Sequence, residues 1–321
     1  MALTSLEICS GAGGQALGLE MAGFHHSALV EIDQAACATL RFNRPAWNVV
    51  EADVSKFSGI PFRGKIDLLA GGVPCPPFSK AGKQLGASDE RDLFPEALRL
   101  VAEIMPNAVM LENVRGLLDP IFETYRSRLD ARFDQMGYHP HWRLLHASDF
   151  GVSQLRPRVV LVAIKKSVSG QFVWPMPSLR KPPHVGELLH DLMAADGWAG
   201  ASSWKKSALA IAPTLVGGSK KHGGPDLGPT RARKAWAALG VDGIGIADQP
   251  PKKDLEGMPR LTVRMAARVQ GFPDSWHFVG KKTPAYRQVG NAFPPPVAAA
   301  VGRQIAKLLN SVSQAKALEA A

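Results

Sequence analysis

From Ser5 to Ile164, short apolar runs alternate with stretches of helical periodicity: Leu6 to Cys9, Ala28 to Ile32, Ile66 to Ala70, Ala108 to Leu111 and Val159 to Ile164. Runs this short and this apolar are the pattern of strands covered on both faces. This part of the chain therefore reads as an α/β unit around a buried parallel sheet. Val49 to Glu51 adds a further short strand. Turn or cap residues follow most of the runs, as in Ser10-Gly11, Asp33, Gly71-Gly72 and Asn113. Ligands of open α/β sheets gather beyond the carboxyl ends of the strands, so residues far apart in sequence are expected to meet along that rim.

The pattern weakens after Lys165. Residues 165 to 259 are interrupted by Trp174-Pro175, Lys181-Pro182-Pro183, Gly217-Gly218, Gly223-Gly224-Pro225 and Gln249-Pro250-Pro251. They also hold 13 Lys and Arg against 8 Asp and Glu, which is half of the formal net charge of +10. A loop-rich second domain with a basic face fits this composition, and so does a solvated insertion. Beyond Pro294-Pro295-Pro296, the pattern from Val297 to Leu309 predicts a helix that packs back on the first unit. The expected division is a catalytic domain of residues 1–172 completed by 284–321, with residues 173–283 forming the second domain.

With 321 residues, 45% hydrophobic and 21% charged, the chain can bury a full core. No apolar run approaches the roughly 20 residues of a membrane helix, and the N-terminus lacks the pattern of a signal peptide, so a cytosolic protein is expected. Cys9, Cys37 and Cys75 are too few for a disulfide framework and too far apart for a metal clip, which predicts reduced thiols and no metal. The positive charge suggests a polyanionic partner.

Four segments carry candidate chemistry. Ser10 to Ala16 is a glycine turn between a strand and a helix, and Glu31 ends the next strand, where a carboxylate can accept hydrogen bonds from ribose hydroxyls. That spacing fits a nicotinamide enzyme as well as an adenosylmethionine enzyme, and Asp53 is either an adenine contact or a helix cap. Cys75, held among prolines in Gly72-Val73-Pro74-Cys75-Pro76-Pro77, has no regular element to pack within and reads as a nucleophile. Glu112-Asn113-Val114 puts a carboxylate on the same rim. There it can supply a proton to ring nitrogen 3 of a pyrimidine, which makes carbon 6 electrophilic, and that task predicts a raised pKa. Gln154-Leu155-Arg156-Pro157-Arg158 carries two arginines on one face of a strand, suited to a base carbonyl or a phosphate.

In this order the segments resemble the DNA (cytosine-5) methyltransferase family over nearly the whole chain outside the basic insertion. Arg260-Leu261-Thr262-Val263-Arg264, Gln270-Gly271-Phe272-Pro273 and Gln288-Val289-Gly290-Asn291-Ala292 resemble its closing motifs. The resemblance implies a Rossmann-like S-adenosylmethionine-dependent methyltransferase sheet with a second, smaller, loop-rich target recognition domain. It implies cofactor binding by Gly11, Gly13, Gly14, Glu31, Ile32, Asp53, Val54, Pro74, Asn291 and Ala292. Cys75, Glu112, Arg156 and Arg158 are implied as catalytic. Ser79, Asn113 and Gln154 are expected to contact double-stranded DNA, as are Lys220, Lys221, Arg231 and Arg233 in the Gly-rich stretch of the insertion.

The implied reaction adds Cys75 to carbon 6 of a cytosine flipped out of a duplex, moves a methyl group to carbon 5, and needs no metal. No obligatory protein partner is implied, although a cognate restriction endonuclease acting on the same site fits the family. Two features depart from its usual pattern: Val73-Pro74-Cys75-Pro76 replaces Pro-Pro-Cys-Gln, and Glu7 stands where Asp is commoner. A transfer-RNA cytosine methyltransferase and a noncatalytic DNA-binding protein are the competing readings. The large insertion favours DNA.

Overall fold

A computed structural model describes residues 2–74, 92–217 and 226–319. The first part of the chain runs β1 (Leu3–Ile8), α1 (Gly14–Met21), β2 (Phe24–Glu31), α2 (Gln34–Asn43), β3 (Val49–Glu51), β4 (Leu68–Gly71), α3 (Phe94–Ile104), β5 (Ala108–Val114), α4 (Glu123–Gln135), β6 (Tyr138–His146) and β7 (Pro157–Lys165). It continues through α5 (Val185–Ala194), α6 (Ala201–Ser207), α7 (Thr230–Ala237), α8 (Val263–Val269), α9 (Lys282–Asn291) and α10 (Pro295–Glu319).

The strands form one sheet in the order β3-β2-β1-β4-β5-β7-β6. The first five are mutually parallel, as their unbroken apolar runs require. Because the chain passes from β1 outward to β2 and β3 and then returns to β4, the strand order reverses between β1 and β4. A crevice opens at such a reversal.

Two features of the sheet differ from expectation. The run Val159 to Ile164 lies in β7, which is antiparallel to β5, so its beginning rather than its end reaches the ligand rim. Strand β6 was not foreseen. It is an edge strand whose apolar positions are broken by His139, His141 and Arg143, and among the described residues it pairs only with β7.

Helix α10 covers the predicted Val297 to Leu309 stretch and seats Val297, Val301 and Ile305 in one cluster with Leu3, Phe24, Met110 and Val160. Its contact with α1 is backbone-close: a Cβ at Gly18 would lie 2.4 Å from the Pro295 carbonyl oxygen. Any larger residue at Gly18 would force the two helices apart.

The region expected to be loop-rich contains α5, α6 and α7 between its Pro and Gly segments. Tryptophans anchor these short helices. Trp236 is fully buried, and the indole of Trp204 donates to the Leu239 carbonyl at 2.8 Å. The same apolar cluster includes Leu29 and Leu40 beside the sheet and Met265, Trp276 and Tyr286 from the last third of the chain. The second region therefore shares a continuous core with the first.

Candidate active site

A cavity of about 720 Å³ opens at the carboxyl ends of β1, β2, β4 and β5 and is closed from above by Thr214–Gly217 and one face of α9. Its size suits a drug-sized ligand. At one end, β1 passes into a turn in which Cys9 (φ 51°), Gly11 (φ 53°) and Gly13 (φ 86°) are all left-handed. For Cys9 this is a strained conformation. Glu31 holds the turn: its carboxylate accepts the amides of Gly11 at 2.7 Å, Ile32 at 2.8 Å and Asp33 at 2.7 Å. Asp33 in turn caps α2 by accepting from Ala35 and Ala36.

Asp53 accepts the Ser55 amide at 2.9 Å, and that bond is the first of the causes that hold its carboxyl below the usual range. Gly11, Gly14, Glu31, Ile32, Asp53, Val54, Pro74, Asn291 and Ala292, all expected at a cofactor site, line this one cavity. Gly13 does not. A Cβ there would lie 2.7 Å from Leu40 and 2.9 Å from Trp276, so Gly13 serves the packing beneath the turn.

At the other end, Glu112 and Arg158 form an ion pair with Arg158 Nε 2.7 Å from Glu112 Oε1, their side chains only 12% and 14% exposed. The pairing follows from the antiparallel register. Glu112 faces Val160, so Arg158 is its diagonal neighbour on the same face of the sheet. Burial pushes the Glu112 carboxyl above its ordinary value, an effect that Arg158 and then Arg156 reduce.

Asn113 is nearly buried. Its side chain donates to the Val73 carbonyl at 3.0 Å and accepts from the Val114 amide at 2.8 Å, fixing the segment that leads to Pro74. Its amide group is thereby engaged with the main chain, and the residue lines the cavity.

Gln154 is the residue expected to contact DNA, and Arg156 the one implied as catalytic. Both residues are fully buried, and neither lines the cavity. Gln154 donates to Gln270 at 2.7 Å and accepts the Leu215 amide at 2.9 Å. Arg156 donates to the carbonyls of Leu215 at 2.7 Å, Gly290 at 2.8 Å and Ala292 at 3.0 Å. These two side chains clamp the cavity roof to the sheet. Strand β7 starts only at Pro157, so alternation along a strand does not place the two arginines side by side.

Arg231 and Arg233 lie in the first turn of α7, an ordered helix rather than a flexible Gly-rich stretch, and outside the cavity lining. Cys75, Ser79, Lys220 and Lys221 lie outside the described residues.

The structure adds Glu7, Cys9, Gln15, Thr214 and Arg287 to the cavity wall. Glu7 Oε2 and Gln15 Oε1 are buried without a hydrogen-bond partner among the described residues. Burial, and then the charge of Glu31, push the Glu7 carboxyl well above its usual value. A glutamate between Leu6 and Ile8 in a buried strand was the one signal that could have exposed this.

A family model described as C-5 cytosine-specific DNA methylase matches residues 3–307. The chain is 60% identical over 312 residues to the Type II methyltransferase M.NgoMIV of Neisseria gonorrhoeae, covering 96% of this chain and 99% of the relative. It is 57% identical over 314 residues to the Type II methyltransferase M.NaeI of Lentzea aerocolonigenes, covering 96% and 76% respectively. Among solved structures, a substituted DNMT2 of Spodoptera frugiperda superposes with a TM-score of 0.65 at 18% identity, over 96% of this chain and 100% of the other. At that identity the likeness concerns the fold.

Proposed function

Since the chain belongs to the C-5 cytosine-specific DNA methylase family and is a DNA cytosine-5 methyltransferase, we propose that its cavity takes S-adenosylmethionine at the Glu31 end and an extruded cytosine at the Glu112 end, with Cys75 as the nucleophile. The buried Glu112–Arg158 pair carries this reading. It stands on the rim beside Val73 and Pro74, one residue before Cys75 in the chain.

The cofactor end fits its ligand. Glu31, fixed by three amides, faces the cavity as an acceptor for ribose hydroxyls, and Asp53 suits an adenine amino group. The orphaned oxygens of Glu7 and Gln15 call for a donor that no described residue supplies, and the ammonium group of the cofactor's methionine part is one. When bound, S-adenosylmethionine supplies an electrophilic methyl group.

Neither described cysteine suits the nucleophile. Burial, and then the charge of Glu31, push the Cys9 thiol up to about 12. The same two causes, in the same order, raise Cys37 to about 11. Both stay protonated near neutral pH, and attack requires a thiolate. Cys75 is the remaining thiol. Glu112, protonated more readily than an exposed carboxyl, holds a proton at ring nitrogen 3 and makes carbon 6 electrophilic. Arg158 positions Glu112 and offers its guanidinium to the base carbonyl. A base inside a duplex cannot reach this site, so it must be extruded at a cost of a few kcal/mol, offset by contacts in the cavity.

The basic residues of 173–283, including Arg231 and Arg233 on α7, are proposed to meet the duplex around the extruded base. An endonuclease acting on the same site is the corresponding proposal for a cellular partner. Transfer of tritiated methyl groups to duplex DNA and to transfer RNA, followed by bisulfite sequencing of the labelled DNA, tests the reading. Label on cytosine of duplex DNA at one short site is expected. Label confined to transfer RNA would refute it.

A further inference from the structure

Two cations line the cavity among the described residues, Arg158 and Arg287. Arg158 is paired with Glu112. Arg287 has no hydrogen bond, ion pair or ring contact with any described residue. It is half-buried, on the stripe of α9 that turns Pro284, Arg287 and Asn291 toward the cavity. Its backbone is held tightly: a Cβ at Gly217 would lie 2.6 Å from the Arg287 carbonyl oxygen and 2.4 Å from Asn291 Oδ1. Thr214–Gly217 therefore lies flat against α9, and only glycine fits where the two touch.

A half-buried guanidinium gives up hydration and normally regains it from a carboxylate or a carbonyl. Of the five described acids on the cavity wall, Glu7 is raised toward its neutral form by burial, Asp53 accepts the Ser55 amide, and the other three are already engaged. Glu31 accepts three amides, Asp33 caps α2, and Glu112 binds Arg158. The counter-ion of Arg287 must then arrive with a ligand, and the fork geometry of Arg suits a pair of anionic oxygens.

We infer that Arg287 anchors a DNA backbone phosphate next to the extruded nucleotide and so positions the base in the cavity. The inference rests on the reading proposed above. The cofactor's carboxylate offers the same oxygen chemistry. The phosphate is favoured because Arg287 lies against Thr214–Gly217, the wall that the net-basic stretch 165–259 contributes.

The test uses a duplex carrying the site that the wild type methylates, with binding measured by anisotropy across salt concentrations and methyl transfer measured alongside. Arg287→Ala is expected to weaken duplex binding about tenfold near 0.1 M salt. It should lower the slope of log affinity against log salt by about 1, as the loss of one phosphate contact requires. The KM for S-adenosylmethionine should stay within about twofold. Arg287→Lys, which keeps the charge, should retain the slope, and it serves as the folding control.

A methylphosphonate in place of one phosphate beside the target should weaken the wild type by a similar factor and weaken Arg287→Ala no further. A raised KM for the cofactor with an unchanged salt slope would assign the guanidinium to the carboxylate and overturn the inference. So would an Arg287→Ala variant that equals the wild type in both. A wild type that neither binds nor methylates duplex DNA would instead bring down the underlying reading.

Discussion

The two ends of the cavity are built from different materials. At the Glu31 end the wall consists of main-chain amides, glycines and a carboxylate that receives three of those amides. At the Glu112 end it consists of two ionisable side chains facing each other with little water. A backbone-built site is preorganised by the fold itself, and the Glu31 carboxylate is held in place before any ligand arrives. A site built from a buried ion pair bears a desolvation penalty, and its chemistry changes with the proton on Glu112. The first end suits a ligand that must be held, the second a ring that must be activated.

The largest expected effect lies at the side-chain end. Glu112→Gln removes the transferable proton and should lower methyl transfer by about 10² to 10⁴-fold with cofactor binding retained. The sign of the pH dependence follows from the raised Glu112 carboxyl. Its protonated form is present below the folded-state pKa and is lost as pH rises through it, so the wild-type single-turnover rate should fall along that limb. Glu112→Gln should lack that limb. A variant with an unchanged pH profile would detach Glu112 from proton delivery.

The contrast between Arg156 and Arg158 is the next test. Arg156→Ala leaves the carbonyls of Leu215 and Gly290 without their charged donor and should cost about 3 kcal/mol of folding stability, read from urea unfolding. Arg158→Ala should impair transfer far more than stability. Equal losses of stability in the two variants would erase the distinction between the two arginines. At the backbone-built end, Glu31→Gln turns an amide group toward the amides that Glu31 accepts. It should raise the KM for S-adenosylmethionine about tenfold while kcat stays within about threefold.

The smallest effect concerns Glu7, whose folded-state carboxyl is raised by burial. A group raised in this way contributes stability below its unfolded value, near 4.3, and loses that contribution as pH rises through the folded value. Glu7→Gln should therefore melt about 2–4 °C above the wild type at neutral pH without cofactor, and the gap should close toward pH 4. A lower melting temperature at every pH would show that Glu7 has a donor inside the protein.

Much of the rim was legible in the sequence because its residues sit at strand ends, where apolar runs stop at Gly11, Glu31, Gly71 and Glu112. The direction of β7 was not legible, since an apolar run carries no sign of its orientation, and so the diagonal pairing of Glu112 with Arg158 could not be derived. Arg156 and Arg158 look alike in sequence. Only the late start of β7 at Pro157 sends one to the carbonyls of the roof and the other to the rim. The helices of the second region were obscured because their apolar faces are short and rely on single tryptophans, such as Trp204 and Trp236, rather than on a sustained period. Gln15 and Arg287 belong to the cavity through tertiary placement alone.

The proposed attack of Cys75 on a ring activated by Glu112 is tested most directly with duplex DNA carrying 5-fluorocytosine at the methylated position, where the fluorine cannot leave as the proton does. With S-adenosylmethionine present, the wild type is expected to form a complex that survives denaturing electrophoresis, and Cys75→Ala is expected to form none. A complex that persists in Cys75→Ala, or a wild type that methylates normal DNA yet leaves the fluorinated duplex free, would contradict the account.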